Sequence, residues 1–261
     1  MDEKMEAFKR INTIMDELRE QCPWDKKQTM ETLRHLTIEE VYELSDSILD
    51  HNTEEIKKEL GDVMLHLVFY AKIAEEKKLF TLADVMNTEC DKLIARHPHI
   101  YPPANGIKTV VNNEEDVKRN WEMLKLKEGK TSVLEGVPRS LPSMVKAQRI
   151  QEKARGAGFD WEKPEQVWEK VEEELTELKE TFDLGNKENM MDELGDVFFS
   201  LINYARFHDI NPDEALERTN KKFISRFKFL ETKVKEKGLQ LDKLSLTEMD
   251  VFWNEAKQAG L

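Results

Sequence analysis

Three observations predict an all-α fold made of two tandem copies of one helical bundle. Apolar residues recur at three-to-four spacing through most of the 261 residues, the period of amphipathic helices. No stretch alternates convincingly between apolar and polar residues, so strands are not expected. An acidic pattern spread over two adjacent helical stretches occurs twice with the same spacing.

In the first half, residues 3–21 place Met5, Phe8, Ile11, Ile14, Met15 and Leu18 on one face, and Cys22-Pro23-Trp24-Asp25 ends that helix. A second helix is expected over 29–50 and a third over 53–78, with Asn52 or Thr53 as N-cap. A fourth, over 81–97, stops at His97-Pro98-His99; Pro102 to Gly106 reads as a loop, and 113–128, carrying Trp121, reads as helix again. Gly129, Gly136, Pro138 and Pro142 then interrupt the pattern. The expected organisation is a domain over 1–128, a linker over 129–141 and a second domain over 142–261. The second half reads as helices over 142–155, 164–183, 186–208, 212–237 and 245–259, with a turn at Gly156-Ala-Gly-Phe-Asp-Trp161.

The repeated pattern is specific. Glu39-Glu40-Val-Tyr-Glu43 precedes Glu59-Leu-Gly-Asp62, and Glu173-Glu174-Leu-Thr-Glu177 precedes Glu193-Leu-Gly-Asp196. The step from Glu40 to Glu59 is 19 residues, as is the step from Glu174 to Glu193. On a helix, Glu174 and Glu177 lie ~60° apart, on one flank of a stripe formed by Val171, Leu175, Leu178 and Phe182. Glu193 and Asp196 flank the stripe of Met191, Leu194, Val197, Phe198 and Leu201. Helices packed by these stripes bring four carboxylates together. Such a quartet must be solvated or neutralised by a cation, and its hard oxygen donors suit Mg²⁺ or Mn²⁺ working with phosphate groups. A solvated acidic face explains one Glu-x-x-Glu pair in a chain with 53 acidic residues; it does not explain a doubled register. Gly61 and Gly195 interrupt strong helical patterns at a cost of about 1 kcal/mol, so close approach of a backbone or ligand is expected there.

Basic and aromatic residues recur as well. Lys92 and Arg96 in the first half are matched by Lys222 and Arg226 in the second, each pair on one helix face. Trp121 with Lys125 is matched by Trp253 with Lys257. Lysine and arginine can grip phosphate oxygens, and a Trp can stack on a base or wall its pocket.

Composition sets limits. Net charge is −13, which argues against a nucleic-acid-binding surface. Cys22 and Cys90 have neither metal-site spacing nor a disulfide pattern. The N-terminus does not read as a signal peptide, and no apolar run approaches the ~20 residues of a membrane span. A cytoplasmic location is expected. No Ser-His-Asp or Cys-His arrangement and no Gly-rich phosphate loop is present, and His66 faces Ser200 in the repeat, a poor sign for a catalytic histidine.

These motifs resemble the all-α nucleoside triphosphate pyrophosphohydrolases of the MazG family. The doubled Glu-Glu-x-x-Glu and Glu-x-x-Asp pattern, Arg96-His97-Pro98, Leu134-Glu-Gly-Val-Pro138 and the Trp-x-x-x-Lys repeats carry the likeness, which covers essentially the whole chain. The resemblance implies two MazG-like bundles, Mg²⁺-dependent hydrolysis of nucleoside triphosphates to monophosphate and pyrophosphate, and a homodimer. It implies Glu174, Glu177, Glu193 and Asp196 as metal ligands, with Lys170, Lys222, Arg226, Trp253 and Lys257 contacting nucleotide. Glu40, Glu43, Glu59 and Asp62 match the ligand pattern in the first half, but Leu36 stands where the second half has Lys170. The main activity is therefore expected in the second half. Metal ions held by the quartet would position water and neutralise phosphate oxygens; Glu173 or one of the ligands would accept the proton. The competing expectation is a non-enzymatic helical regulator or dimer scaffold, which the recurring basic and Trp residues do not favour.

Overall fold

The structure, a computed structural model, describes residues 2–102, 110–111, 113, 116–117, 120–121 and 132–261. The chain divides into two compact units, Met1–Val110 and Val111–Leu261. Among the described residues the regular elements are all helical.

The first unit holds α1 (Glu3–Gln21), α2 (Met30–Leu49), α3 (Thr53–Glu76) and α4 (Leu82–Arg96). Helix α2 folds back on α3, while α1 and α4 pack against α3. Their shared core is Met15, Leu33, Val68, Phe69 and Ile73, with Leu36 packed against it. Arg19 pins α1 in place: its Nε donates to Glu76 at 2.9 Å and its Nη1 to the carbonyl of Gln28 at 3.2 Å. The Glu76 carboxylate holds the guanidinium pKa above its ordinary value, outweighing desolvation.

The second unit contains α5 (Ser143–Gly156), α6 (Pro164–Leu184), α7 (Lys187–Phe207), α8 (Pro212–Glu236) and α9 (Leu246–Gln258). Helices α6 and α7 form its main pair, α5 packs on α7, and α8 pairs with α9 around Leu230, Val234 and Phe252. These bounds lie within two residues of the sequence reading. The helix expected over 113–128 falls mostly on positions outside the described residues.

The turns explain how both halves keep one register. His51 and Gly185 occupy the same place in the repeat, and both adopt a left-handed backbone, φ 53° and 67°. Glycine does this freely, whereas a Cβ makes it costly for His51. The next residue is asparagine in both halves. Asn52 accepts from the amide of Glu55 at 3.3 Å. Asn186 accepts from the amides of Glu188 at 3.1 Å and Asn189 at 3.4 Å. A left-handed stop followed by an asparagine cap ends one helix and starts the next without slack.

Candidate active site

Each carboxylate cluster is assembled from a helix pair. In the second unit α6 supplies Glu174 and Glu177 and α7 supplies Glu193; each offers an oxygen within 4.8 Å of the others. In the first unit α2 supplies Glu40 and Glu43 and α3 supplies Glu59, with oxygens equally close. Asp62 and Asp196 are not in these groups of mutually close oxygens. Asp62 still acts on its cluster: the Glu40 carboxyl is pushed up by burial and then by the charges of Asp62, Glu43 and Glu59. The donors are all hard oxygens, so the residues present fit Mg²⁺ or Mn²⁺ better than a soft metal.

The helices do not meet by their full stripes, as the sequence reading expected. Among the described apolar side chains of α6 and α7, Val167, Val171, Val197 and Ile202 are buried, and Glu174 is buried with them at 7 % exposed. Leu175, Phe182, Met191, Leu194 and Phe198 remain exposed. The pair packs on one edge of the stripes. That edge carries the glutamate inward and leaves the rest of the apolar surface outside. The close approach expected at Gly61 and Gly195 is likewise not made among the described residues, where a Cβ at either would meet nothing within 4 Å.

The two clusters differ in countercharge. Lys170 Nζ lies 2.8 Å from oxygens of both Glu173 and Glu174. Those hydrogen bonds hold its ammonium pKa well above the ordinary lysine value. Glu177 is pushed upward by desolvation and by Glu174 and Glu193, with Lys170 opposing. In the first unit Leu36 takes the matching position and packs, half-buried, against the core instead. Glu59 there is raised by desolvation and then by Glu43 and Asp62. Behind that cluster Thr37 links two residues of α3: its Oγ1 lies 2.7 Å from the Tyr70 hydroxyl and 3.0 Å from His66 Nδ1. Burial lowers the His66 pKa. The repeat places Val171 and Ser200 where the first half has Thr37 and His66, so this network is not duplicated.

Lys222 and Lys257 are exposed on α8 and α9. Arg226 donates from Nε to the Leu261 carbonyl at 2.7 Å, and its guanidinium lies 5.9 Å from the centre of the Trp253 ring. The structure brings Arg226 and Trp253 together, but none of these four residues lines the cavity described next. That cavity, of about 600 Å³, is bordered by Lys170, Glu174 and Asp196 and runs between α5, α6, α7 and the Gly158–Trp161 turn. Sequence reasoning did not select several of its residues. Asp160 is clamped by Arg206, 8 % exposed, whose Nη1 donates at 3.0 Å. Gln151 is buried on α5 and donates from Nε2 to the Phe199 carbonyl at 2.7 Å. The only local signal was an acid between two aromatics, Phe159-Asp160-Trp161, after a glycine turn.

Two helical bundles, each carrying a carboxylate cluster across one helix pair, define a tandem all-α protein with two candidate divalent-cation sites. The chain belongs to the MazG nucleotide pyrophosphohydrolase family, whose domain matches it twice, over residues 28–101 and 162–230. Both matches span the paired glutamates. The chain is 41 % identical over 255 residues to the nucleoside triphosphate pyrophosphohydrolase/pyrophosphatase MazG of Thermotoga maritima, covering 96 % of this chain and 95 % of that protein. It is 34 % identical over 265 residues to the nucleoside triphosphate pyrophosphohydrolase of Escherichia coli K12, covering 97 % and 98 %. The uncharacterized protein YabN of Bacillus subtilis is 42 % identical over 257 residues, and the chain spans 52 % of its length.

The Lys170 ion pairs would compete with any cation bound at Glu174. Lys170→Ala should therefore raise the affinity of the second cluster for Mn²⁺ in the absence of nucleotide by about fivefold, equivalent to ~1 kcal/mol for a partly exposed pair. Isothermal titration calorimetry measures this; unchanged or weakened binding would show that Lys170 does not share the carboxylate with the metal.

Proposed function

We propose that the chain is a nucleoside triphosphate pyrophosphohydrolase that cleaves (d)NTPs to (d)NMP and pyrophosphate, with the second half as its main catalytic unit. The observation that carries this reading is the juxtaposition of Glu174, Glu177 and Glu193, oxygens within 4.8 Å of one another, with Lys170 2.8 Å from Glu174. Family membership and the activities for which the two full-length relatives are named support the reaction class.

Glu174, Glu177, Glu193 and Asp196 would hold Mg²⁺, or Mn²⁺ in its place. The bound cation supplies neutralisation of phosphate oxygens and a lowered pKa for water. The chain's own residues do the rest. Lys170, one helical turn before Glu174, gives a positive charge that can turn from the carboxylates to a phosphate oxygen. Glu173 stands outside the close oxygen group and is held at its edge by Lys170; we assign it as the acceptor of the proton from attacking water. The water oxygen bonds to phosphorus, the α–β anhydride bond breaks, and pyrophosphate leaves. Lys222, Arg226, Trp253 and Lys257 are assigned to nucleotide contacts. Arg226 must exchange its Leu261 carbonyl for phosphate to serve in this way.

Glu40, Glu43, Glu59 and Asp62 form a second, weaker or silent site, because Leu36 offers a phosphate no charge. We place the domain limits at 1–128 and 142–261, joined by 129–141, and the protein in the cytoplasm, without nucleic-acid partners. Among the described residues no helix is long and apolar enough to cross a membrane.

The decisive comparison is Glu40→Gln with Glu43→Gln against Glu174→Gln with Glu177→Gln, followed by chromatography of the nucleotide products. The second pair should remove most NTP hydrolysis. Loss of a charge-assisted contact in the transition state alone costs roughly ten- to a hundredfold. The first pair should leave most of it. Equal losses, or the reverse, would overturn the assignment; nucleoside diphosphate as product would overturn the reaction.

The uncovered stripes support a homodimer. Ile38, Tyr42, Leu60 and Met64 in the first unit, and Leu175, Phe182, Met191 and Phe198 in the second, are exposed in the single chain. Apolar surface on this scale marks an association surface, and twofold pairing is its commonest outcome. Light scattering should report about twice the 30.7 kDa chain mass; an active monomer would refute the pairing.

A further inference from the structure

We propose that His66 supplies a nitrogen ligand to the cation site of the first unit, so that this site selects a transition-metal dication such as Co²⁺ or Zn²⁺, a preference the second unit does not share. This rests on the reading of Glu40, Glu43, Glu59 and Asp62 as a cation site and names the class of ion it takes. Glu59, Asp62 and His66 follow one another on α3 at steps of three and four residues, so they lie along one face of that helix. Glu40 stands three residues, about one turn, after Thr37 on α2, and Thr37 touches His66. His66 therefore sits next to the carboxylates on both helices. Asp62 is the charge that acts on its ring.

The hydrogen bonds decide which ring nitrogen carries the proton. Thr37 has one hydroxyl proton to give, and the Leu33 carbonyl, 3.0 Å away, takes it. The Thr37 oxygen must then accept from its two other partners, the Tyr70 hydroxyl at 2.7 Å and His66 Nδ1 at 3.0 Å. With Nδ1 as donor, a neutral ring presents Nε2 as a bare lone pair. His66 is 8 % exposed, burial disfavours its charged form, and Nε2 has no hydrogen-bond partner among the described residues. A buried imidazole held through Nδ1, with Nε2 open beside carboxylates, is arranged as a metal-ligating histidine is. Imidazole suits transition-metal dications, whereas Mg²⁺ keeps to oxygen donors and water. Nε2 lies outside the group of mutually close donor atoms, so loading the site requires the side chain of Asp62 or Glu40 to turn toward it.

The second unit lacks these parts. Val171 stands in the place of Thr37 and Ser200 in that of His66, and the Ser200 hydroxyl donates to the Val197 carbonyl at 3.0 Å. Its cluster has Lys170 beside Glu174 instead. The two sites thus differ in ligand chemistry as well as in countercharge.

The test uses the full chain carrying Glu174→Gln and Glu177→Gln, which should remove cation binding at the second cluster. Isothermal titration calorimetry with Co²⁺ and with Mg²⁺ is then repeated after adding His66→Gln or Thr37→Val. Thr37→Val should lower Co²⁺ affinity by about tenfold, a usual cost of losing the group that orients a ligand histidine, and His66→Gln by at least as much. Mg²⁺ affinity should stay unchanged in both. X-ray absorption of Co²⁺ added substoichiometrically to the chain with His66 intact should show the scattering of a coordinated imidazole ring. If the added variants do not fold, that measurement decides by itself. Absence of the imidazole signal, or equal losses for Co²⁺ and Mg²⁺ in His66→Gln, would overturn the proposal. Co²⁺ bound at the first cluster without dependence on His66 would sink only this inference; no cation bound there at all would sink the site beneath it as well.

Discussion

Carboxylates on adjacent helices repel one another, and the site exists only where something offsets that repulsion. In the second unit Lys170 contributes part of the offset, bridging Glu173 and Glu174 at 2.8 Å each. The first unit has no lysine there, and both Glu40 and Glu59 are pushed toward protonation by burial and by their neighbours. The same four-residue pattern therefore sits in two electrostatic settings. A divalent cation at either cluster would relieve the repulsion, and the second alone has a lysine at this position beside its glutamates.

Keeping the carboxylates opposite one another is a backbone problem, solved by the turn. His51 and Gly185 supply the left-handed stop and Asn52 and Asn186 the cap, which fixes the register between the paired helices. A slip of one residue would rotate Glu193 by ~100° away from Glu174. The pair then packs on the edge that includes Val171, Val197 and Glu174. Burying the glutamate on the packing edge leaves large apolar side chains outside, so the site and the surface proposed for dimerisation arise from one choice of helix rotation.

The helices were legible in the sequence because period and caps are local. Thr29 and Ser245 each cap a helix by accepting from the amide three residues on, and Pro164 starts α6 at a position where its missing N–H costs nothing. The clustering of the three glutamates in each half was legible because their register repeats, whereas Asp62 and Asp196, expected with them, are not among the mutually close oxygens. What the sequence hid was contact between distant segments. Gln151 meets Phe199 and Asp160 meets Arg206 across 48 and 46 residues, and no periodicity points from one to the other. The rotation of α6 on α7 was also hidden, since a wide apolar stripe does not say which edge faces its partner. Leu36 was readable as a missing charge at a buried-facing position, and the structure packs it half-buried against the core around Leu33.

Each helix pair is proposed as a separate divalent-cation site made by its own glutamates. Counting bound Mn²⁺ by electron paramagnetic resonance during titration of the full chain tests it most directly. The account predicts two classes of site in the wild type, one lost in the Glu174→Gln, Glu177→Gln variant and the other in the Glu40→Gln, Glu43→Gln variant. Unchanged Mn²⁺ stoichiometry in either variant, with the helices intact, would contradict it.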